Sequence, residues 1–304
     1  MKFRAHETFF IRKGWLSKGM KYVKQTDGNV FIDKDNNPMD VLGIGSNMVK
    51  SLRYWLQAVG LVTEPASGKR QQKVTEFGEL VYKNDRYIEE FGTLQLLQYK
   101  LASNKVLATS WYFFFNHFFI QEFEQDDFIT DLQKYIKNET KIEEKEVGSL
   151  RTLSDDFSCI LGTYLPRLST SEKEKLSPEN NISCPFAELG LLTSLGNGKY
   201  KKSIPIPDTF NPYVILAVIA DRSKGNTEIR LNDLLTAECN IGRIFNLDTI
   251  SLIEVLRKTE KTEELKIIRT AGLDVIHLAH PEKTFQDYVG QFYKSLNINE
   301  AAAV

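Results

Sequence analysis

The sequence predicts a mainly α-helical protein with small β-hairpins: an N-terminal winged helix-turn-helix, a central helical region and a C-terminal winged-helix-like domain. Three observations carry that expectation. Leu42–Thr75, LGIGSNMVKSLRYWLQAVGLVTEPASGKRQQKVT, has the pattern of a helix, a glycine stop and two short strands around a basic tip. From Tyr87 to Lys137 the chain turns aromatic and apolar, with helical segments. From Asn211 onward, three helix-like segments again precede two alternating strands. The boundaries drawn on this basis are 1–86, 87–180 and 181–300, and residues 301–304, AAAV, are set apart as an appended scar.

The elements follow in order. RKGWLSKGMKYVKQ (12–25) places Trp15, Met20 and Val23 on one face of a first helix. The loop DKDNNP leads to a short helix around Met39–Leu42. Ser46 is placed to cap the third helix, and Gly60 to end it in the left-handed conformation that other residues resist. Between them Val49, Leu52, Leu56 and Val59 form an apolar stripe. Thr75 opens a further helix through Tyr82. Three helices account for residues 87–137, with WYFFFNHFF buried rather than displayed for base stacking, and with His117 as a core histidine.

NETKIEEKEVGS (138–149) is a charged hinge, a helix spans Leu150–Tyr164, and STSEKEKLSPENN is a second linker. PFAELGLLTSLGNGKYKKSIP is a short helix followed by a hairpin turning at Gly196–Gly198. Helices over Asn211–Asp221, Leu231–Ala237 and Asp248–Lys258 precede ELKIIRTAGLDVIHL, two strands around an Ala-Gly turn. KTFQDYVGQFYKSL supplies a last amphipathic helix.

Composition narrows the function. The chain has 304 residues, 42% hydrophobic and 26% charged, with a formal net charge of −1. That mean hides a split: residues 1–75 hold 13 Lys or Arg against 6 Asp or Glu, a balance of +7, and the rest carries −8. A local excess of this kind attracts phosphate by counterion release. Cys159, Cys184 and Cys239 lie far apart, as suits reduced thiols in a cytoplasmic protein. No run long and apolar enough for a signal peptide or a membrane span is present.

The polar face of the third helix holds Asn47, Lys50, Ser51, Arg53, Tyr54 and Gln57, all donors to phosphates or base edges. Lys69, Arg70 and Lys73 occupy the hairpin after Gly68, where a wing meets the backbone, and Arg12 is placed to touch it too. Double-stranded DNA is therefore the expected partner. The third helix of the C-terminal unit, DTISLIEVLRKTEK, mixes Glu254 and Glu260 with Arg257 and Lys258, so a structural or dimerising role suits it better, and a homodimer is expected from it.

Several strings together resemble one family: HETFFIRKGWLSKG, VLGIGSNMVKSLRYWLQAVGL, TEFGELVYKNDRYIEEFGTLQLLQYKLAS, the Trp-Tyr pair leading to Phe-Asn at 111–116, and PFAELGLL. They are similar, in consistent order over roughly residues 3–280, to the SspB family, also catalogued as domain of unknown function 4007. From Leu94 the chain has LQLLQYK where the family's pattern carries a Trp and a His. The resemblance implies a component of a bacterial DNA phosphorothioation system, which replaces a non-bridging phosphate oxygen by sulfur and marks DNA for antiphage defence. It implies a DNA-nicking endonuclease, and as partners a cysteine desulfurase, an ATP-pyrophosphatase-like sulfur-transfer protein and an ATPase.

Metal-dependent nicking needs carboxylates converging on Mg²⁺ or Mn²⁺ and a base near the attacking water. The candidates are His6 and Glu7, flanked by Arg4 and Arg12, and the adjacent Asp155 and Asp156. Adjacent helical residues point about 100° apart, so the two aspartates need a partner from elsewhere, and a solvated helix start is the plainer account of them. Asp85, Glu89 and Glu90 suggest a surface acidic cluster, and His277 with His280 is a weak metal pattern. GIGSN lacks the Lys-Ser/Thr of a P-loop, so no nucleotide cofactor is expected. The competing expectation is a non-catalytic winged-helix DNA-binding adaptor or transcriptional regulator.

Overall fold

The computed structural model describes residues 1–140, 149–166, 183–270 and 273–302. The linker at 169–181, most of the hinge at 138–149, the Ala271-Gly272 turn and the end of AAAV lie outside the described residues.

Helix α1 (Trp15–Gln25) buries Trp15, Leu16, Gly19, Met20 and Val23. At Gly19 the chain passes so close to α3 (Ser46–Ala58) that an added Cβ would stand 2.7 Å from Leu56 Cδ1. Between them, α2 (Pro38–Leu42) starts on Pro38 and is capped by Asn37, whose Oδ1 accepts from the N–H of Met39. The expected cap of α3 is corrected: Ser46 is the first helical residue, Gly45 precedes it, and no side chain caps this end. Gly60 does turn left-handed after the helix, with φ 75°. Strands β1 (Val62–Thr63) and β2 (Lys73–Val74) then pair antiparallel, Val62 opposite Val74. Thr75 caps α4 (Glu76–Asn84) through its Oγ1, 2.9 Å from the N–H of Gly78.

Helices α5 (Phe91–Ala102) and α6 (Thr109–Asn116) are buried on nearly all sides, which is why neither shows an amphipathic stripe. Asp85 is not part of a surface cluster: it is buried, and its carboxylate accepts from the N–H groups of Glu89 and Glu90 just before α5. The aromatic run is core as far as Phe118, whereas His117 is half-buried, 3.2 Å from Glu238, and Phe119 is exposed. Phe113, Phe114, Phe118, Phe123, Phe128 and Phe157 pack ring against ring among α6, β3 (Glu122–Phe123), α7 (Gln125–Thr140) and α8 (Leu150–Tyr164).

After a 3-10 turn at Pro185–Leu189, β4 (Leu192–Gly196) and β5 (Lys199–Lys202) form the expected hairpin. Its sheet has the order β3-β5-β4, with Phe123 opposite Tyr200, so residues on both sides of position 180 share one sheet. The remaining elements are α9 (Pro212–Ser223), β6 (Glu228–Arg230), α10 (Leu231–Thr236), α11 (Ile241–Ile244), α12 (Thr249–Glu260), β7 (Leu265–Thr270) and β8 (Leu273–Leu278). They include a three-stranded sheet of order β6-β8-β7, with β6 and α11 beyond the expected elements. Helix α13 (Phe285–Ala302) packs on α9 and reaches α4, and one hydrophobic core runs through all three regions.

Candidate nucleic-acid interface

Along α3, Asn47 and Lys50 are exposed, while Arg53 and Gln57 are half-buried on the same side of the helix. Lys50 Nζ lies 3.4 Å from Asn47 Oδ1. Lys69, Arg70 and Lys73 are exposed on the hairpin between β1 and β2. Arg53, Lys69 and Arg70 face Asp33, Lys34 and Asp35 of the α1–α2 loop across a groove of about 1030 Å³.

Beneath the arginines lies a carboxylate absent from the expected polar face. Glu64 has a side chain only 1% exposed, and it sits 2.8 Å from Arg53 Nε and 2.6 Å from Arg70. Gln57 and Gln72 also donate to it, at 3.2 and 3.4 Å. Charge-assisted bonds of this kind are roughly twice as strong as neutral ones, and here they clamp the hairpin onto α3. The clamp holds Arg53 and Arg70 in place, and Lys50, Lys69 and Lys73 stand exposed beside them. The strand alternation already pointed to it: Val62 faces in and Thr63 out, which turns Glu64 inward.

Two of the helix residues are corrected. Ser51 and Tyr54 are buried, because residues 3–11 form an arm that lies over that flank of α3. Ser51 Oγ and Trp55 Nε1 both donate to the carbonyl of Phe9, at 3.3 and 2.8 Å, and the His6 ring lies 6.4 Å from that of Tyr54. Arg12 stacks over Phe9 and Trp15 and lines a pocket of about 230 Å³ that none of the exposed stripe residues lines.

The arm also gathers most of the residues singled out for catalysis. Asp156 is 1% exposed and lies in the middle of α8, so the solvated helix start is corrected as well. Its Oδ1 accepts from the backbone N–H of Arg4 and from His6 Nε2, each at 2.7 Å, and its Oδ2 from Ser110 Oγ at 2.5 Å. His6 Nδ1 accepts the N–H of Thr8, so the ring proton sits on Nε2 and is directed at Asp156. Asp155 instead pairs with Arg4, 2.7 Å from its Nε. Glu7 takes part in none of these bonds. Arg4, Glu7 and Thr8 all have positive φ, a strain of order 1–3 kcal/mol each that the surrounding contacts sustain.

This node does not suit a hydrated divalent ion. Both oxygens of Asp156 are already engaged by donors, and His6 is 1% exposed and wedged between Trp55 and Trp111. Among the described residues no group of three or more His, Cys, Asp or Glu side chains is arranged to hold a metal. His277 and His280 are no exception, His280 pairing with Glu282. The three cysteines are free and buried, and burial pushes each thiol up, away from the reactive thiolate. Among the described residues no helix is long and apolar enough to cross a membrane.

Comparison with known proteins gives a consistent result. A search of the curated proteins finds no match. Two solved structures match almost throughout: a magnesium-ion-bound SspB crystal structure, with a TM-score of 0.81, and an SspB crystal structure, with 0.82. Each is 25% identical, with 96% of this chain and 88% of the other covered. The family described as "Protein of unknown function (DUF4007)" is matched over residues 3–293. The chain therefore belongs to the DUF4007 family, and the SspB structures are relatives that share its fold.

Proposed function

We propose that this chain is the DNA-binding component of a bacterial DNA phosphorothioation system that serves antiphage defence. In this reading residues 10–85 work as a winged helix-turn-helix, with Asn47, Lys50, Arg53 and Gln57 entering the major groove and Lys69, Arg70 and Lys73 holding the flanking backbone. The observation that carries it is the side of α3 with exposed Asn47 and Lys50 and half-buried Arg53, continued by the basic hairpin, in a region with a balance of +7. The kinship with SspB supports the pathway, and with it a cytoplasmic setting and the desulfurase, sulfur-transfer protein and ATPase as partners.

A mobility-shift assay on duplex DNA tests the reading. Binding that weakens steeply with salt is expected for contacts made mainly to phosphates. Lys50→Glu combined with Arg53→Glu weakens it about a hundredfold, provided the variant melts like the parent; unchanged affinity overturns the assignment. Strand nicking is a separate activity, read as relaxation of supercoiled plasmid with Mg²⁺ or Mn²⁺. A second reading, a DNA-binding adaptor without nicking, is favoured by the closure of the His6–Asp156 node. Relaxation by the purified chain that is lost in His6→Ala, Asp155→Ala or Asp156→Ala, with folding intact, would exclude the adaptor.

A further inference from the structure

A pocket of about 480 Å³ opens between the end of α6, the end of β5 and α11. Lys202 lines it, although the residue is only 6% exposed. Its Nζ donates to the carbonyl oxygens of Phe114 and Phe118, at 2.6 and 2.5 Å, around the C-terminal end of α6. Those carbonyls offer partial negative charge and no more. No carboxylate of the described residues pairs with Lys202. Burial, followed by the nearby Arg243, holds its pKa down to about 7.

Arg243 lines the same pocket, its Nε donating to the carbonyl of Thr236 at 3.0 Å and its guanidinium lying 4.3 Å over the ring of Phe119. The acid on the lining, Asp248, is turned to its own helix: its Oδ1 accepts from the N–H of Ser251 at the start of α12. Two basic groups thus share a recess in which the nearby carboxylate is engaged elsewhere.

The rim is apolar and exposed. Phe119 and Ile204 line the mouth, and Ile120, Ile206 and Ile250 adjoin or follow it in the chain, with exposures of 37 to 69% for the five. Ile204 and Ile206 project outward on either side of buried Pro205, as alternate residues of an extended segment do. Clusters of exposed large apolar side chains rimmed by polar ones mark interaction sites in soluble proteins. This rim extends past the recess, so a small organic anion would leave part of it uncovered.

We propose that this surface docks a segment of a partner protein in which an acidic side chain is flanked by aliphatic or aromatic ones, the carboxylate seating on Arg243 and Lys202 and the apolar neighbours on Phe119, Ile204 and Ile206. Charge complementarity selects the acid, and the apolar rim selects its neighbours. The proposal is independent of DNA binding.

Random peptides displayed on phage, selected on the intact protein and counter-selected on Arg243→Glu, test it. The enriched sequences carry Asp or Glu beside Leu, Ile, Phe or Trp. A synthetic peptide of the enriched sequence loses about tenfold or more in affinity against Arg243→Gln and against Ile204→Asp with Ile206→Asp, and loses as much when its own acid becomes the amide. These variants alter partly or well exposed side chains, and melting curves matching the parent verify their fold; Lys202→Met is added only if it melts likewise. Enrichment without an acid, or equal affinity for the variants, overturns the proposal. Saturable binding of phenyl phosphate that displaces the peptide also overturns it, in favour of a small-molecule site.

Discussion

The N-terminal unit α1–β2 and the C-terminal unit α9–β8 both place helices before a two-stranded hairpin, yet they use their charges in opposite ways. On α3 and its hairpin, Lys50, Lys69 and Lys73 stay exposed, and Arg53 with Arg70 is aligned by Glu64. On α12, Lys258 is spent on the carbonyl of Asp208, and Glu260 on the N–H of Ile267. Glu254 lies exposed beside Arg257. Helices followed by a hairpin therefore leave exposed cations in one unit and internally bonded charges in the other. Charge left over after internal pairing, more than element order, marks the unit suited to phosphate.

The comparison can be broken or sharpened at several points, the largest first. The arm that covers α3 is tied to the body through Asp156, which accepts from Arg4, His6 and Ser110, so Asp156→Ala strands these donors and lowers the unfolding free energy by about 3 kcal/mol or more in urea titrations. A loss under about 1 kcal/mol would mean the arm is dispensable. Next, Lys50→Glu with Arg53→Glu weakens duplex binding about a hundredfold, roughly 3 kcal/mol, while Arg257→Glu with Lys258→Glu on α12 changes it less than about twofold. Equal losses from the two units would end the distinction between them.

Glu64→Gln keeps the shape of the clamp and removes its charge, at a cost of about 2 kcal/mol in stability, whereas Glu254→Gln on exposed α12 is near neutral. Thermal melts compare the pair directly. Alanine at Lys69, Arg70 and Lys73 weakens binding about tenfold and lowers the slope of log affinity against log salt by about 2–3. An unchanged slope would remove the hairpin from the phosphate contacts. The smallest effect is at the tie of α13: Tyr293→Phe, which deletes a 2.9 Å bond to Thr93, costs about 1 kcal/mol.

Much of this arrangement was legible in the sequence, and the exceptions share a cause. Three- and four-residue spacing located α1 and α3, Gly60 marked the stop of α3, and the aromatic run was correctly assigned to the core except at its exposed end, Phe119. Ser51 and Tyr54 were misplaced because periodicity says which residues share a face and not what will cover it; the covering arm meets Ser51 through Phe9, more than forty residues earlier. Asp156 was misplaced for the same reason, its three donors coming from Arg4, His6 and Ser110. The three residues of β6 and four of α11 are too short to show a period, and β3 is defined only by its partner β5.

His6 touches three elements at once: Tyr54 and Trp55 of α3, Trp111 of α6 and Asp156 of α8. A rigid side chain so placed works as a mechanical coupling. Helix α3 cannot tilt or slide without moving the imidazole against α6 and α8, so the arm ties the position of α3 to that of the central helices.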